Sequence, residues 1–276
     1  MRKDIAMKYN RRIFPVYKAF AWDALFYHAI IFLFLTQTRG LSVPTVLYAE
    51  AVYRIFLIVL QVPCGILIKK IGSRKALIIG NLLVALQIGL MIFVSNFVHL
   101  VAVFFICALG YGLKEIGQHK LIYDSVKSKK GKFSYASIDA KGSSFAYILE
   151  GITSLFTGFL FVISNYLPIL MSSFMFMLSA LIAYRFEEVE SEDEEKITVK
   201  SAIKSMQQGL GHIARVQETQ SLVLVHSNIW WFFSNGYYIS KKLACRFTNE
   251  SRVLWTIVWC VNNICRFCDS ISRKIA

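Results

Sequence analysis

Long apolar runs separated by short polar stretches dominate the pattern along the chain. Six such runs precede residue 185, at residues 19–36, 46–68, 76–94, 97–113, 143–163 and 167–184. About 20 apolar residues in a helix are enough to cross the hydrocarbon core of a bilayer. The pattern therefore predicts an all-α integral membrane protein with six transmembrane helices, in which a longer polar loop at residues 114–142 joins the fourth helix to the fifth.

The pattern changes after the sixth run. Residues 185–220 carry seven acidic residues within nine positions, and such a block of like charge is usually solvated. We therefore predict a charged cytoplasmic linker there. The next apolar run, residues 221–239, is a poor seventh span because His226, Asn228, Ser234 and Asn235 interrupt it.

The last stretch does not continue the alternation. Residues 253–261 form an apolar run that is too short to cross a bilayer, and the charges after residue 241 fall where the alternation predicts the outer side. We interpret residues 241–276 as the product of a truncation or a shifted reading frame. The predicted organisation is a basic cytoplasmic amino terminus (1–18), a transmembrane bundle (19–184), a linker (185–220), and a doubtful span with an atypical tail (221–276).

Composition supports membrane insertion over a soluble fold. The chain is 56% hydrophobic and 17% charged, against roughly 45–50% apolar and 25% charged residues in soluble domains. A net charge of +14 is also typical of proteins that bind nucleic acid. The positions of the basic residues along the chain distinguish that interpretation from membrane insertion.

The basic residues lie on one side of the predicted membrane. Seventeen of them fall in the amino terminus, the turn between spans two and three, and the loop between spans four and five, whereas Arg39 alone falls on the other side. Cytoplasmic loops of membrane proteins are enriched in Lys and Arg. The charge therefore predicts a cytoplasmic amino terminus and requires no nucleic acid as a partner.

The six cysteines do not predict a disulfide scaffold or a cofactor site. Cys64 and Cys107 fall inside apolar runs, where a cysteine behaves as a small hydrophobic residue. The spacing of Cys260, Cys265 and Cys268 resembles three of the four ligands of plant-type iron–sulfur proteins, but the fourth ligand is absent downstream. We predict no cofactor, no metal site and no enzymatic activity.

A basic turn joins the second and third runs. It contains Gly65, Lys69, Gly72, Arg74 and Lys75, and this spacing resembles the loop between the second and third helices of major facilitator superfamily transporters, which reads G-x-x-x-D-x-x-G-R-[RK]. The stretch Tyr-Asp-Ser-Val-Lys at residues 123–127 is similar to a run that follows the fourth helix in a bacterial branch of the same family. Two residues differ from the pattern, since Lys69 replaces the family's Asp and Ser73 replaces its first Arg.

The resemblance implies a fold and a function. The fold would be the amino-terminal six-helix half of such a transporter, built as two inverted three-helix repeats in a bacterial inner membrane. The function would be alternating-access transport of a small solute. A carboxylate inside a span, Glu150, makes protons the candidate coupling ion. A second half-unit or a second copy of the chain would complete the path. The family's acid is thought to latch the two halves on the cytoplasmic side, and Lys69 inverts that charge.

Five ionisable residues inside the predicted spans are candidates for binding a solute or a coupling ion. Each costs about 2.5–3.5 kcal/mol at a helix centre on insertion scales and is a functional candidate for that reason. They are Asp23, His28, Glu50, Arg54 and Glu150.

Each candidate also has a structural interpretation. Asp23 suits interfacial anchoring, His28 suits packing as a polar residue facing the bundle, and a protonated Glu150 suits burial against another helix. Glu50 and Arg54 are four residues apart, the spacing of an ion pair on one helix face, although Arg54 also suits an anionic substrate. At the level of the whole chain, the alternative to a transporter is an inactive remnant or a membrane-embedded interaction protein that transports nothing.

Overall fold

A computed structural model gives the fold and describes residues 2–22, 25–127 and 135–188. These residues form seven α-helices, which are α1 Arg2–Phe20, α2 Tyr27–Leu33, α3 Val43–Ile71, α4 Ser73–Leu90, α5 Phe97–Lys127, α6 Tyr135–Ile163 and α7 Leu167–Tyr184. A π-helical turn, Phe34–Thr38, extends α2, and a 3₁₀ turn, Met91–Phe93, extends α4. The predicted seventh span, the tail with its cysteines and the linker beyond Glu188 lie outside the described residues.

Five helices, α3 to α7, are long and apolar enough to cross a membrane. Each contains most of one of the predicted runs, from the second to the sixth. The prediction of an all-helical membrane protein is therefore confirmed, and these five predicted spans correspond to helices.

The first predicted span is not one continuous helix. The helix α1 ends at Phe20 and α2 begins at Tyr27, and between them Phe26 has a φ of 54°, in a region that residues with side chains rarely adopt. We call residues 21–26 the break; Asp23 and Ala24 within it lie outside the described residues. The prediction of an uninterrupted helix over residues 19–36 is therefore wrong.

The predicted loop at residues 114–142 is also largely wrong. The helix α5 continues to Lys127, and α6 begins at Tyr135. Leu121, Ile122 and Ser125 are buried along this extension, because their spacing places them on one helix face. Charged residues beside and between them, Lys120, Asp124 and Lys127, hide that face from a search for continuous apolar runs.

The helices pack around α4 and α5. The helix α5 lies against α3 and α4, α4 lies against α7, and α1 lies against α6 while also reaching α5 and α7. Two glycines set the distance between α4 and α5, since a β carbon on Gly80 would stand 2.8 Å from the carbonyl oxygen of Gly110. The small residues that the sequence places in the fourth run thus serve close packing.

The contact between α1 and α6 is polar at one end. The Lys18 ammonium bonds the Asp139 carboxylate at 2.5 Å and the Ser143 hydroxyl at 3.0 Å, while its alkyl stem lies against Gly142. A buried cluster of aromatic and aliphatic side chains lies near this contact. It is formed by α1, α4, α5 and the end of α7, and it includes Phe14, Tyr17 and Phe186. This cluster lies towards the end of the bundle that contains Gly72, which we call the basic end after Lys69, Lys70, Arg74 and Lys75.

Candidate functional site

Three side chains from three helices bind the break. The Lys114 ammonium of α5 donates to the carbonyl oxygen of Ala21 at 2.9 Å, and the Ser172 hydroxyl of α7 donates to the carbonyl oxygen of Leu25 at 2.7 Å. An interrupted helix leaves carbonyl groups without partners, and such groups are costly where water is excluded. These two bonds therefore stabilise the interruption.

The third side chain is Glu150, near the middle of α6. Its Oε2 accepts a hydrogen bond from the indole nitrogen of Trp22 at 2.9 Å. The Trp22 ring meets the Tyr147 ring edge-on, with centroids 5.3 Å apart. The structure thus places this predicted site residue beside the break, in contact with Trp22. Sequence reasoning missed Trp22 as a partner because 128 positions separate it from Glu150.

Lys114 is a site residue that sequence reasoning assigned to a loop. Only 3% of it is exposed, and its ammonium also lies 3.3 Å from a carboxylate oxygen of Glu115. The same ammonium lies 4.4 Å from the ring centroid of Tyr111 and 5.4 Å from that of Phe176. The sequence signal was available, since a lone lysine that directly follows an apolar run can belong to the helix.

Glu50 and Arg54 form the ion pair that their spacing predicts. The guanidinium of Arg54 lies 3.3 Å from Glu50 Oε1 on a partly exposed face of α3, and it also approaches the ring of Tyr53, at 5.7 Å. Because α3 packs on α5 while α6 packs on α1, this pair and Glu150 lie on helices that belong to different sides of the bundle.

His28 does not face the bundle, and that interpretation is wrong. Its side chain is exposed, with its ring against that of Tyr27 at 5.8 Å. Tyr27 takes the inward position instead, where its hydroxyl accepts a hydrogen bond from the Gln87 amide at 3.2 Å. Asp23, the remaining candidate, lies outside the described residues.

The stretch that the sequence predicts as the basic turn is almost entirely helical, and only Gly72 lies between α3 and α4. Gly72 has a φ of 89° and joins α3 directly to α4, so it occupies a conformation that favours glycine. Gly65 lies inside α3 and has open space beside it. Lys69 and Lys75 are exposed at this end.

An acidic residue from the start of the predicted linker caps α4. The Glu188 carboxylate accepts hydrogen bonds from the backbone N–H groups of Ser73, at 2.6 Å, and Arg74, at 2.8 Å. A negative charge at a helix amino terminus is favourable because it meets the positive end of the helix dipole. We call this contact the α4 clamp.

Two further features support the α4 clamp. The Arg74 guanidinium donates to the carbonyl oxygen of Tyr184 at 2.5 Å and lies 4.7 Å from the centre of its ring. A β carbon on Gly72 would stand 3.0 Å from the Glu188 carboxylate, so glycine also leaves room for the acid. The turn is therefore fastened to the end of α7 within the same bundle.

The described residues offer no metal site of the usual kind, since no three His, Cys, Asp or Glu side chains among them come together. Cys64 and Cys107 are buried within apolar helices and form no disulfide bond, as their positions predict.

Comparison with known proteins gives the family. A comparison with curated proteins finds no match for the chain. The sequence profile of the Major Facilitator Superfamily matches residues 19–250 of the 276, a stretch that includes the break, all five long apolar helices and the basic turn. The chain therefore belongs to the Major Facilitator Superfamily, whose members are multi-pass membrane transporters and not enzymes.

Proposed function

We propose that the chain takes part in moving a small solute across the membrane by alternating access, with Glu150 as the group that couples transport to protons. The observation that supports this role is the hydrogen bond between Glu150 and Trp22 at the break. Ionisable side chains in membrane helices mark transport pathways, and interrupted helices form the sites of many transporters. Glu150 combines both features.

The geometry suggests how a proton would act. A hydrogen bond to an ionised carboxylate is roughly twice as strong as one to a neutral acceptor. Protonation of Glu150 would therefore weaken its hydrogen bond with Trp22, which lies two residues beyond the end of α1. Proton binding at one carboxylate would thus change how tightly the break is held. Coupling requires such a link between protonation and conformation.

We propose that the basic end faces the cytoplasm and that the membrane is a bacterial inner membrane. The clustering of Lys69, Lys70, Arg74 and Lys75 at one end supports this orientation through the positive-inside bias. The amino terminus would then be cytoplasmic, because α1 begins at the same end.

A second unit is expected to complete the transport path. Among the five long helices, α3 and α6 bury the smallest shares of their side chains, so each presents a broad apolar face. A second half-unit or a second copy of the chain would cover part of these faces. Asp23, His28, Glu50 and Arg54 stay candidates for solute or ion binding in that assembly.

Reconstitution in vesicles tests the proposal. The wild type is compared with Glu150→Gln for solute-dependent proton flux across a broad panel of solutes, with Glu187→Gln as the control that removes an exposed carboxylate beyond the end of α7. We expect Glu150→Gln to lower the flux by about tenfold or more and Glu187→Gln to lower it much less.

Two results would count against the proposal. Equal flux in the wild type and Glu150→Gln would remove Glu150 from coupling. No flux for any solute, in a preparation shown to be folded and inserted, would favour the alternative that the chain is a remnant or a membrane-embedded interaction protein.

A further inference from the structure

The surroundings of the Lys114 ammonium form a complete site for a monovalent cation. A buried charge is costly unless it is paired and hydrogen-bonded, and this one has a carbonyl oxygen of Ala21 at 2.9 Å and a carboxylate oxygen of Glu115 at 3.3 Å. The faces of Tyr111 and Phe176 lie at 4.4 and 5.4 Å, within the range in which a ring attracts a cation. Side chains or backbone of α5, α7 and the end of α1 thus converge on one positive charge.

The Lys114 ammonium lies at the carboxyl-terminal end of α1. Ala21 follows the last residue of α1, so its carbonyl oxygen lies at the negative end of the helix dipole. In transporters with interrupted helices, carboxyl-terminal ends and unwound carbonyl groups coordinate a free alkali ion. Here the protein's own ammonium stands where such an ion would be held.

The backbone around Lys114 is fixed by close packing. A β carbon on Gly80 would stand 2.8 Å from the backbone nitrogen of Lys114, so α4 and α5 are in near contact at this residue. Because α5 has little freedom to move there, loss of the long side chain would leave a cavity with polar walls instead of a collapsed contact. A small cation can enter such a cavity.

We propose that Lys114 is a tethered cation that holds the break in place of a bound ion, and that shortening its side chain opens a site for ammonium, methylammonium or an alkali ion. Lys114 is then a positioning residue, because Trp22 follows Ala21 and its indole meets Glu150. This inference concerns how the break is held and does not depend on whether the chain transports a solute.

The test uses the full purified chain in detergent, with Trp22 as the only tryptophan after Trp→Phe changes at 230, 231, 255 and 259. Ammonium, methylammonium, Na⁺ and K⁺ are titrated against N-methylglucamine at constant ionic strength, and Tm and Trp22 emission are recorded. We expect Lys114→Ala to lower Tm and shift the emission. Methylammonium or ammonium should reverse both changes with a saturable, millimolar dependence, whereas wild type should respond to none of the cations.

Three control variants separate a cation site from general packing. Lys120→Ala removes the same charge from the same helix and should neither shift the emission nor respond to cations. Lys114→Met fills the space without the charge, so it should shift the emission and resist rescue. Lys114→Arg keeps the charge and should keep the wild-type emission.

The proposal is overturned if Lys114→Ala leaves Trp22 emission unchanged, if no cation restores it, or if Lys120→Ala responds in the same way. Where Lys114→Ala fails to fold in N-methylglucamine, the proposal requires that methylammonium present during purification yields folded Lys114→Ala and fails to rescue Lys114→Met. Equal failure of both variants would also overturn it.

Discussion

Polar residues of the bundle find partners that are distant in the sequence. Glu150 meets Trp22 across 128 positions, Lys114 meets the Ala21 carbonyl across 93, and Glu188 meets Ser73 across 115. Each contact satisfies a backbone group or a charge that is at least partly buried, and leaving a buried polar group without a partner costs about 1–3 kcal/mol. The cost of an ionisable group inside a membrane helix identifies Glu150 as important from the sequence alone. Only the packing of the helices shows which group forms a hydrogen bond with it.

Glu188 gives a prediction at this scale. Its carboxylate is the amino-terminal cap of α4, and loss of such a cap costs about 0.5–2 kcal/mol. Glu188→Gln removes the charge and leaves one acceptor oxygen for two N–H groups. We expect it to lower the stability of the detergent-solubilised protein by that amount, measured by thermal unfolding, with a smaller difference from wild type at high salt because salt screens the dipole interaction.

Glu187 is the matched control for the α4 clamp. It carries the same charge one position earlier, but its contacts are made by its backbone, which exchanges hydrogen bonds with the Asn10 side chain at 2.8 and 2.9 Å. Glu187→Gln should therefore change stability by less than about 0.5 kcal/mol. Equal losses in the two variants would show that the net charge of the segment matters and that the cap does not.

At the scale of the helices, lipid thickness explains what the sequence reveals and what it hides. The apolar runs locate α3 to α7 because a span must stay apolar over a fixed length. Outside the lipid a helix does not need to be apolar over a fixed length. Hydropathy therefore does not detect the extension of α5 that buries Leu121 and Ile122. The break escapes it too, because hydropathy reports the compatibility of side chains with lipid and not the continuity of the backbone. The side chains that donate hydrogen bonds to the carbonyl oxygens of the break, Lys114 and Ser172, come from other helices.

The contact between α4 and α5 gives a second prediction. A β carbon on Gly110 would stand 2.9 Å from a methyl group of Val84 and 3.0 Å from the backbone oxygen of Gly80, and a backbone atom cannot yield cheaply. Gly110→Ala should therefore destabilise the bundle by about 1–3 kcal/mol, measured by denaturant unfolding in detergent.

The family glycine Gly65 serves as the comparison. It lies within α3 with nothing within 4 Å of the added β carbon. Gly65→Ala should be neutral, or stabilising by up to about 1 kcal/mol through the higher helix propensity of alanine. A loss in Gly65→Ala as large as that in Gly110→Ala would mean that the isolated bundle does not account for the role of Gly65.

For the whole molecule, the uneven distribution of basic residues is little changed by the corrections to the predicted helices and loops. Lys114 no longer counts among the residues of the connecting segments because it is buried in the bundle, which leaves sixteen of the seventeen basic residues in stretches that the sequence places on the cytoplasmic side, against Arg39 on the other. Arg39 itself donates to the carbonyl oxygen of Val94 at 2.6 Å, so its charge helps to close the turn at that end. The charge bias from which we propose the orientation therefore does not depend on where individual helices stop.

Thiol labelling of intact cells tests this orientation. Ser95 lies exposed between α4 and α5, at the end opposite Gly72, and position 130 lies in the stretch between α5 and α6. In a background without the native cysteines, Ser95→Cys should react with a membrane-impermeant maleimide added outside. Lys130→Cys should react only after the membrane is permeabilised, because a segment rich in Lys is retained in the cytoplasm. The reverse pattern would place the basic end outside, and the proposed cytoplasmic position of the α4 clamp would fall with it.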